Sequence, residues 1–402
     1  MNKNSDSSDR YVDYLCPACR AEGMFVFHEQ KDVPVHSVMN MPDRKTAIEY
    51  PVGDIMLGFC KQCGFISNIA FNPKLIEYSS DCEESQGFSP TFNAFAHNLA
   101  KELIKRYNLY NKDIIEIGCG KGEFIISLCE IGKNRGVGFD PAFVPERITS
   151  EAKKRVTFIR DYYSEKYSRY KADFICCKMT LEHIWRPLDF IETLRRSIGD
   201  KSDTIVFFQL PDATRILRDC AFEDIYYEHC SYFCPESLTN LFHSCNFDIL
   251  NSENVFDEQY IIMESKPSTR DNLSSLNDTK DIEVINDNVL SFEKKYESKI
   301  EHWNIRFQGL IDNNKRVVIW GSGSKGVAFL STFKKFNIIN YVVDINPYRQ
   351  GTYMAGTGQE IVGPEFLREY KPDVVIVMNS IYVEEIRHDL NAMGLNPEIL
   401  AL

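Results

Sequence analysis

No apolar run in the 402 residues approaches the length of a membrane span, so a transmembrane helix is excluded as the organising element. Positive charge is also scarce. Lys and Arg total 46 against 58 Asp and Glu, a net charge of -12, which argues against nucleic-acid binding as the main task. The opening MNKNSDSSDR is polar and lacks the apolar stretch of a secretory signal, so residues 1–10 are expected to be a disordered tail. The 13 cysteines are odd in number and include the adjacent Cys176 and Cys177, which suits a reducing cytoplasm better than a disulfide framework. A cytoplasmic location with no membrane partner is the expectation. Hydrophobic content of 44% and charged content of 26% are ordinary for a soluble globular chain with room for two or three domains.

The residues present are more specific. Asp113–Asp140 reads DIIEIGCGKGEFIISLCEIGKNRGVGFD, predicting a strand, a glycine-rich turn, a helix, and a second strand ending in an acid. Its Glu-x-Gly-x-Gly-x-Gly spacing differs from the G-x-G-x-x-G of dinucleotide folds. An acid just before the first glycine is awkward for a pyrophosphate and suits a cation. S-adenosylmethionine carries an ammonium and a sulfonium, which Glu116 can face, while Gly118, Cys119, Gly120 and Gly122 let the ligand approach the main chain. Asp140 can accept both ribose hydroxyls. Asp161 and Tyr162, after the third predicted strand (156–159), can take the adenine amino group and cover the ring. Lys178 opens the KMTLEH tip of a fourth strand (173–177), facing the same crevice, with His183 at its end.

Two C-x-x-C knuckles, Cys16/Cys19 and Cys60/Cys63, supply four thiolates, the pattern of a closed structural Zn2+ site with no position open for substrate. Gly23 and Gly64 ease the knuckle turns. Residues 89–107 carry helical spacing, and His97 reads as a packed helix residue. Tyr78 lies in the loop before it, where lids often sit. A fifth strand is expected at 204–210 and a terminal one at 255–264. Between them, FEDIYYEHCSYF concentrates Tyr226, Tyr227, Glu228, His229 and Tyr232 in seven residues, enough for base, orienting acid and oxyanion partner.

A polar linker follows at 265–281, then a long helix at 282–310. The last part restarts with RVVIWGSGSKG, where Gly321, Gly323 and Gly326 have dinucleotide spacing and Asp344 ends the next strand. Only one further strand (374–378) is evident. Half a Rossmann unit is too small to enclose a dinucleotide, which favours a substrate phosphate near Lys325, or a structural role.

Cysteine pairs, a Glu116-Ile117-Gly118-Cys119-Gly120 turn, the IYYEHCSYF stretch and a terminal GSGSKG unit in this order resemble the bacterial nucleotide-sugar C-methyltransferases. The resemblance covers nearly the whole chain from Cys16. It implies an α/β chain with a class I methyltransferase doubly wound core: a zinc module at 11–75, the core at 76–266, linker and helix at 267–312, and a Rossmann-like domain at 313–402. It also implies a monomer with a small-molecule substrate, a nucleotide sugar, held between core and C-terminal domain. His229 matches the family's base, Tyr226 and Glu228 match active-site positions, and His183 and Tyr78 are similar to the tip histidine and lid tyrosine. Tyr227 and the VPVHSVMNM segment depart from the best-known members. O-methylation of a sugar or another hydroxylated metabolite is the alternative reading.

Overall fold

The computed structural model describes residues 10–269 and 279–402; all but one residue of the expected tail and most of the polar linker lie outside them. Among the described residues the framework is three sheets. β1 (Tyr11–Val12), β2 (Met24–Pro34), β3 (Val52–Phe59) and β4 (Ile66–Asn68) form an antiparallel N-terminal sheet. The central sheet is built from β5 (Asp113–Ile117), β6 (Arg135–Phe139), β7 (Val156–Ile159), β8 (Phe174–Lys178) and β9 (Ile205–Pro211). β10 (Ser231–Tyr232) leaves that sheet and pairs with β4 of the N-terminal one. The unit read as residues 11–75 is therefore completed by a segment from the middle of the chain.

β11 (Phe247–Val255) and β12 (Tyr260–Pro267) close the central sheet in the order β11-β12-β9-β8-β5-β6-β7, with β12 antiparallel to both neighbours. The single strand expected at 255–264 is thus a hairpin. Its turn places Phe256, Asp257 and Glu258 in the left-handed region (φ 54, 55 and 57°), without the glycine that normally announces such a turn. β5 and β8 are buried between helices on both faces, which is why they read as nearly continuous apolar runs.

The C-terminal unit is fuller than expected. β13 (Val317–Trp320), β14 (Ile339–Val343), β15 (Glu360–Val362), β16 (Val374–Val377) and β17 (Glu398–Ala401) form one parallel sheet, ordered β15-β14-β13-β16-β17. The two strands missed are the edges, three and four residues long and too short for a pattern. The size argument for half a Rossmann unit is corrected accordingly. The long helix runs Thr279–Asp312 and acts as a spine: Val289 and Phe292 pack on the N-terminal sheet, Trp303, Phe307 and Leu310 on the C-terminal one. No helix among the described residues is long and apolar enough to cross a membrane.

Candidate active site

The His229 loop is held from two sides. The Asn68 N–H reaches the Cys230 carbonyl (3.0 Å) from the N-terminal sheet, and the Cys230 N–H reaches the Glu182 carbonyl (3.0 Å) at the tip after β8. This fixes four of the expected residues together. The Tyr226 hydroxyl meets His229 Nε2 at 2.7 Å, and the Tyr78 hydroxyl meets His183 Nδ1 at 2.8 Å. The two imidazoles cross edge to face, 4.9 Å between centres. Burial lowers the His183 pKa to about 4. It also drives that of His229 well down, helped by the neighbouring His183 and Lys325. Both rings are therefore neutral at pH 7, the state a general base requires.

Glu228 does not orient the imidazole. Its Oε2 accepts the Ser37 N–H (2.7 Å) and the Ser37 hydroxyl, while Oε1 is buried without a partner. Burial lifts this carboxyl to about 7, against the pull of Ser37. Ser37 in turn bonds Ser324 (2.8 Å), whose side chain also faces Tyr226. A ring of hydrogen bonds thus joins all three sheets around His229. Ser37 and Ser324 were not legible as site residues. Ser37 belongs to the unusual VPVHSVMNM segment, which is part of the site's wall. Tyr227 is structural: its hydroxyl accepts the Asn72 N–H (2.9 Å) and its ring packs on Phe71.

The first glycine turn fits a closely approaching ligand. Gly118 and Gly120 have φ of 69 and 51°, and a Cβ on Gly118 would lie 2.0 Å from Thr180 Oγ1. Gly122, in the left-handed region (φ 84°), leads directly into the helix Glu123–Gly132. Asp140 accepts the Gly120 N–H (2.8 Å) and the Ala142 N–H (2.7 Å), with lone pairs left for hydroxyls. Cys119 is buried against the strands rather than offered to a ligand.

Four cofactor expectations change. Glu116 is buried, accepts the Ile125 N–H (2.9 Å), and its opposite charge is Lys178; burial holds its carboxyl up at about 8. Lys178 packs over the Phe124 ring at 3.8 Å, beneath the helix and away from the crevice. Both side chains alternate to the helix face of their strands, which a linear motif does not reveal. Asp161 is engaged by Lys166 and Tyr167, which hold its pKa low. Tyr162 is exposed, with its hydroxyl directed to the Tyr78 main chain. The acid over the turn is Glu84, whose Oε1 lies 2.9 Å from where a Gly120 Cβ would be; its side chain is exposed and its Oε2 pairs with Lys121 at 3.4 Å. His97 is exposed on its helix, not packed.

The second glycine turn opens on a cavity of about 270 Å³ between the central sheet and the C-terminal unit. Tyr226, Met179, Gly321, Ser324, Lys325 and Arg349 are among its lining residues. Asp344 is occupied by the Ser322 N–H (2.9 Å) and Asn346 N–H (2.8 Å). Lys325 pairs with Asp224, which Arg215 also contacts at 2.8 Å.

Cys16, Cys19, Cys60 and Cys63 converge, with Cys16–Cys63 sulfurs 3.7 Å apart and Cys19–Cys60 sulfurs 3.6 Å apart. Four thiolates about 2.3 Å from a tetrahedral Zn2+ would stand roughly 3.8 Å apart, so the group can hold the ion. In the first knuckle the left-handed turn falls on Arg20 (φ 63°) rather than Gly23 alone; in the second it falls on Gly64.

The strand order and glycine turn define a class I methyltransferase fold. Residues 92–252 match the family model described as methyltransferase domain, and the protein is an enzyme of that class. Residues 273–396 match the model described as C-methyltransferase C-terminal domain. No curated protein matches the sequence. Similar solved structures include the magnesium protoporphyrin IX methyltransferase of Synechocystis PCC 6803 with bound SAH: 15% identity, 44% of this chain, 84% of that one, TM-score 0.35. Another is the 1,6-didemethyltoxoflavin-N1-methyltransferase of Burkholderia thailandensis: 14% identity, 43% of this chain, 78% of that one, TM-score 0.34. At these scores neither bears on this chain's substrate.

Gly120→Val is expected to abolish S-adenosylhomocysteine binding in calorimetry while circular dichroism stays unchanged. The branched side chain would occupy the ligand's approach and meet Glu84. Binding within tenfold of the parent protein would contradict the placement.

Proposed function

We propose that this enzyme transfers a methyl group from S-adenosylmethionine to carbon in a nucleotide-linked keto-deoxysugar. The observation that carries the reading is the hydrogen-bonded set Tyr78–His183 and Tyr226–His229, with Tyr226 on the wall of the cavity at the second glycine turn. The match to a C-methyltransferase C-terminal domain supports the choice of carbon. When bound, S-adenosylmethionine supplies an electrophilic methyl on a sulfonium. Gly118, Gly120 and Asp140 would hold it, with Glu84, rather than Glu116, facing its ammonium. Zn2+ would be held by Cys16, Cys19, Cys60 and Cys63 and take no part in the chemistry.

In this reading His229 removes the proton on the carbon beside the sugar's ketone, worth roughly 10²- to 10⁴-fold in rate. Tyr226 hydrogen-bonds the developing enolate oxygen, with His183 and Tyr78 steadying the far side of the imidazole pair. Glu228 Oε1 meets a sugar hydroxyl. The cavity's position, with Ser324 and Lys325 on its wall and the helix Ser324–Thr332 starting there, supports a phosphate of the nucleotide at the second turn. The test is solvent deuterium exchange at the α-carbon across a panel of nucleotide keto-sugars. No exchange, together with a methyl ether in the product, would favour O-methylation instead.

Glu84 gives a separate prediction. Glu84→Gln should weaken S-adenosylhomocysteine by about tenfold, the worth of one charge-assisted hydrogen bond, yet leave 5′-methylthioadenosine, which lacks the ammonium, unchanged. Equal loss for both ligands would mean Glu84 does not read the amino-acid end.

A further inference from the structure

Glu182 is the middle residue of the 3-10 turn Leu181–His183, which starts three residues after β8 ends, and only 2% of its surface is exposed. Neither carboxylate oxygen has a hydrogen-bond partner. On the facing loop, His229 is equally buried and its Nδ1 has no partner, although its Nε2 meets Tyr226. A Glu182 oxygen and ring nitrogens of His183 and His229 lie within 4.8 Å of one another. Two unpaired buried polar groups at that spacing are destabilising if left apart. His183 is already engaged, its Nδ1 by Tyr78 and its ring by the Glu228 main chain. That leaves Glu182 and His229 Nδ1 for each other.

We infer that Glu182 is the positioning residue for His229: its carboxyl oxygen receives the Nδ1–H and so keeps the lone pair on Nε2. This rests on the reading of His229 as base. The proton lifted from the acceptor's carbon goes to Nε2, the Nδ1 proton stays in place, and the resulting imidazolium lies beside the Glu182 carboxyl group. The carbon's electron pair becomes the enolate. Glu182 thus does for the imidazole what the neighbouring Glu228, tied to Ser37, does not. The other groups facing the pair are His183, Tyr226 and Tyr232 on the two tips, Cys230 and Cys177 against Glu182, Tyr260 from β12, and Lys325 from the C-terminal unit. None of these is an acidic group positioned to replace Glu182 at Nδ1.

The test is nitrogen NMR of the full-length protein with 15N-labelled histidine, the His229 signals being assigned by their loss in His229→Gln. Burial pushes the Glu182 carboxyl up to about 8, so spectra are compared at pH 9 and on titration downward. The parent protein should show the Nδ1–H tautomer at pH 9 and a step in the His229 shifts near pH 8. Glu182→Gln, whose amide oxygen still accepts the hydrogen bond, should keep the tautomer at pH 9 and lose the step. Glu182→Leu should lose both. The inference is overturned if both variants keep the parent spectrum and its step. It is equally overturned if the parent binds a second equivalent of Zn2+ or Mn2+ that Glu182→Leu abolishes, since the three residues would then be metal ligands. A normal methyl-transfer rate in His229→Ala would sink the role of His229 as base without touching the hydrogen bond.

Discussion

Stripping metal from the four-cysteine cluster is expected to unfold the N-terminal sheet and to disorder the His229 loop with it. The two knuckles sit at the mouth of β2 and between β3 and β4, where main-chain bonds such as Gly64 N–H to Cys60 carbonyl (2.9 Å) and Arg20 N–H to Cys16 carbonyl (2.8 Å) depend on the sulfurs converging. A bound structural zinc contributes on the order of 10 kcal/mol to a small module, about as much as the whole stability of a typical domain. Four thiols at the observed spacing, released from an ion, would repel as thiolates or leave an unfilled centre. Since β4 pairs with β10 two residues beyond His229, the loss propagates to the site. Cys60→Ser should therefore lower the melting temperature sharply and cost S-adenosylhomocysteine binding far less than turnover, because the donor turn lies in the central sheet. A variant that melts with the parent protein, or a purified parent without a stoichiometric metal, would sink this account.

The parts legible in the sequence are those whose signal is local. The glycine turn, the cysteine knuckles and the order β5 to β9 each lie within a short window, and the residues needed are adjacent there. The parts not legible depend on partners brought together by folding. Glu116 sits two residues before the first glycine, yet its oxygens turn inward to Ile125 and Lys178 because strand alternation points it at the helix. Glu84, which does overhang the turn, comes from a segment 36 residues upstream of Gly120 with no motif of its own. Ser37 reaches Glu228 across 191 positions, and its other neighbour in the hydrogen-bond ring, Ser324, across 287. Ordinary serines carry no spacing signature, so nothing marks them until the three sheets are assembled. The hairpin of β11 and β12 was hidden for the opposite reason, its turn being made by Phe256, Asp257 and Glu258 instead of glycine.

His229→Ala is expected to remove most turnover, by roughly 10²- to 10⁴-fold, while both ligands remain bound. The size follows from what the ring's surroundings leave available. Of the groups within reach, His183 Nδ1 is held by Tyr78 and Lys325 by Asp224, while Glu228, tied to Ser37 through Oε2, and Glu182, assigned to Nδ1, have other tasks in this reading. Tyr226 cannot take over, since burial holds its hydroxyl well above its ordinary pKa and it stays a donor. Truncating His229 would also leave that hydroxyl without its 2.7 Å partner, so some loss in the reaction's second requirement, support of the enolate oxygen, is built into the same change. The two contributions can be separated. Tyr226→Phe removes the donor and keeps the ring, so α-proton exchange should be slowed much less than in His229→Ala, while the yield of methylated product per exchange event should fall. Equal loss of exchange in the two variants would mean that the pair acts as one proton relay, with Tyr226 rather than His229 nearest the carbon.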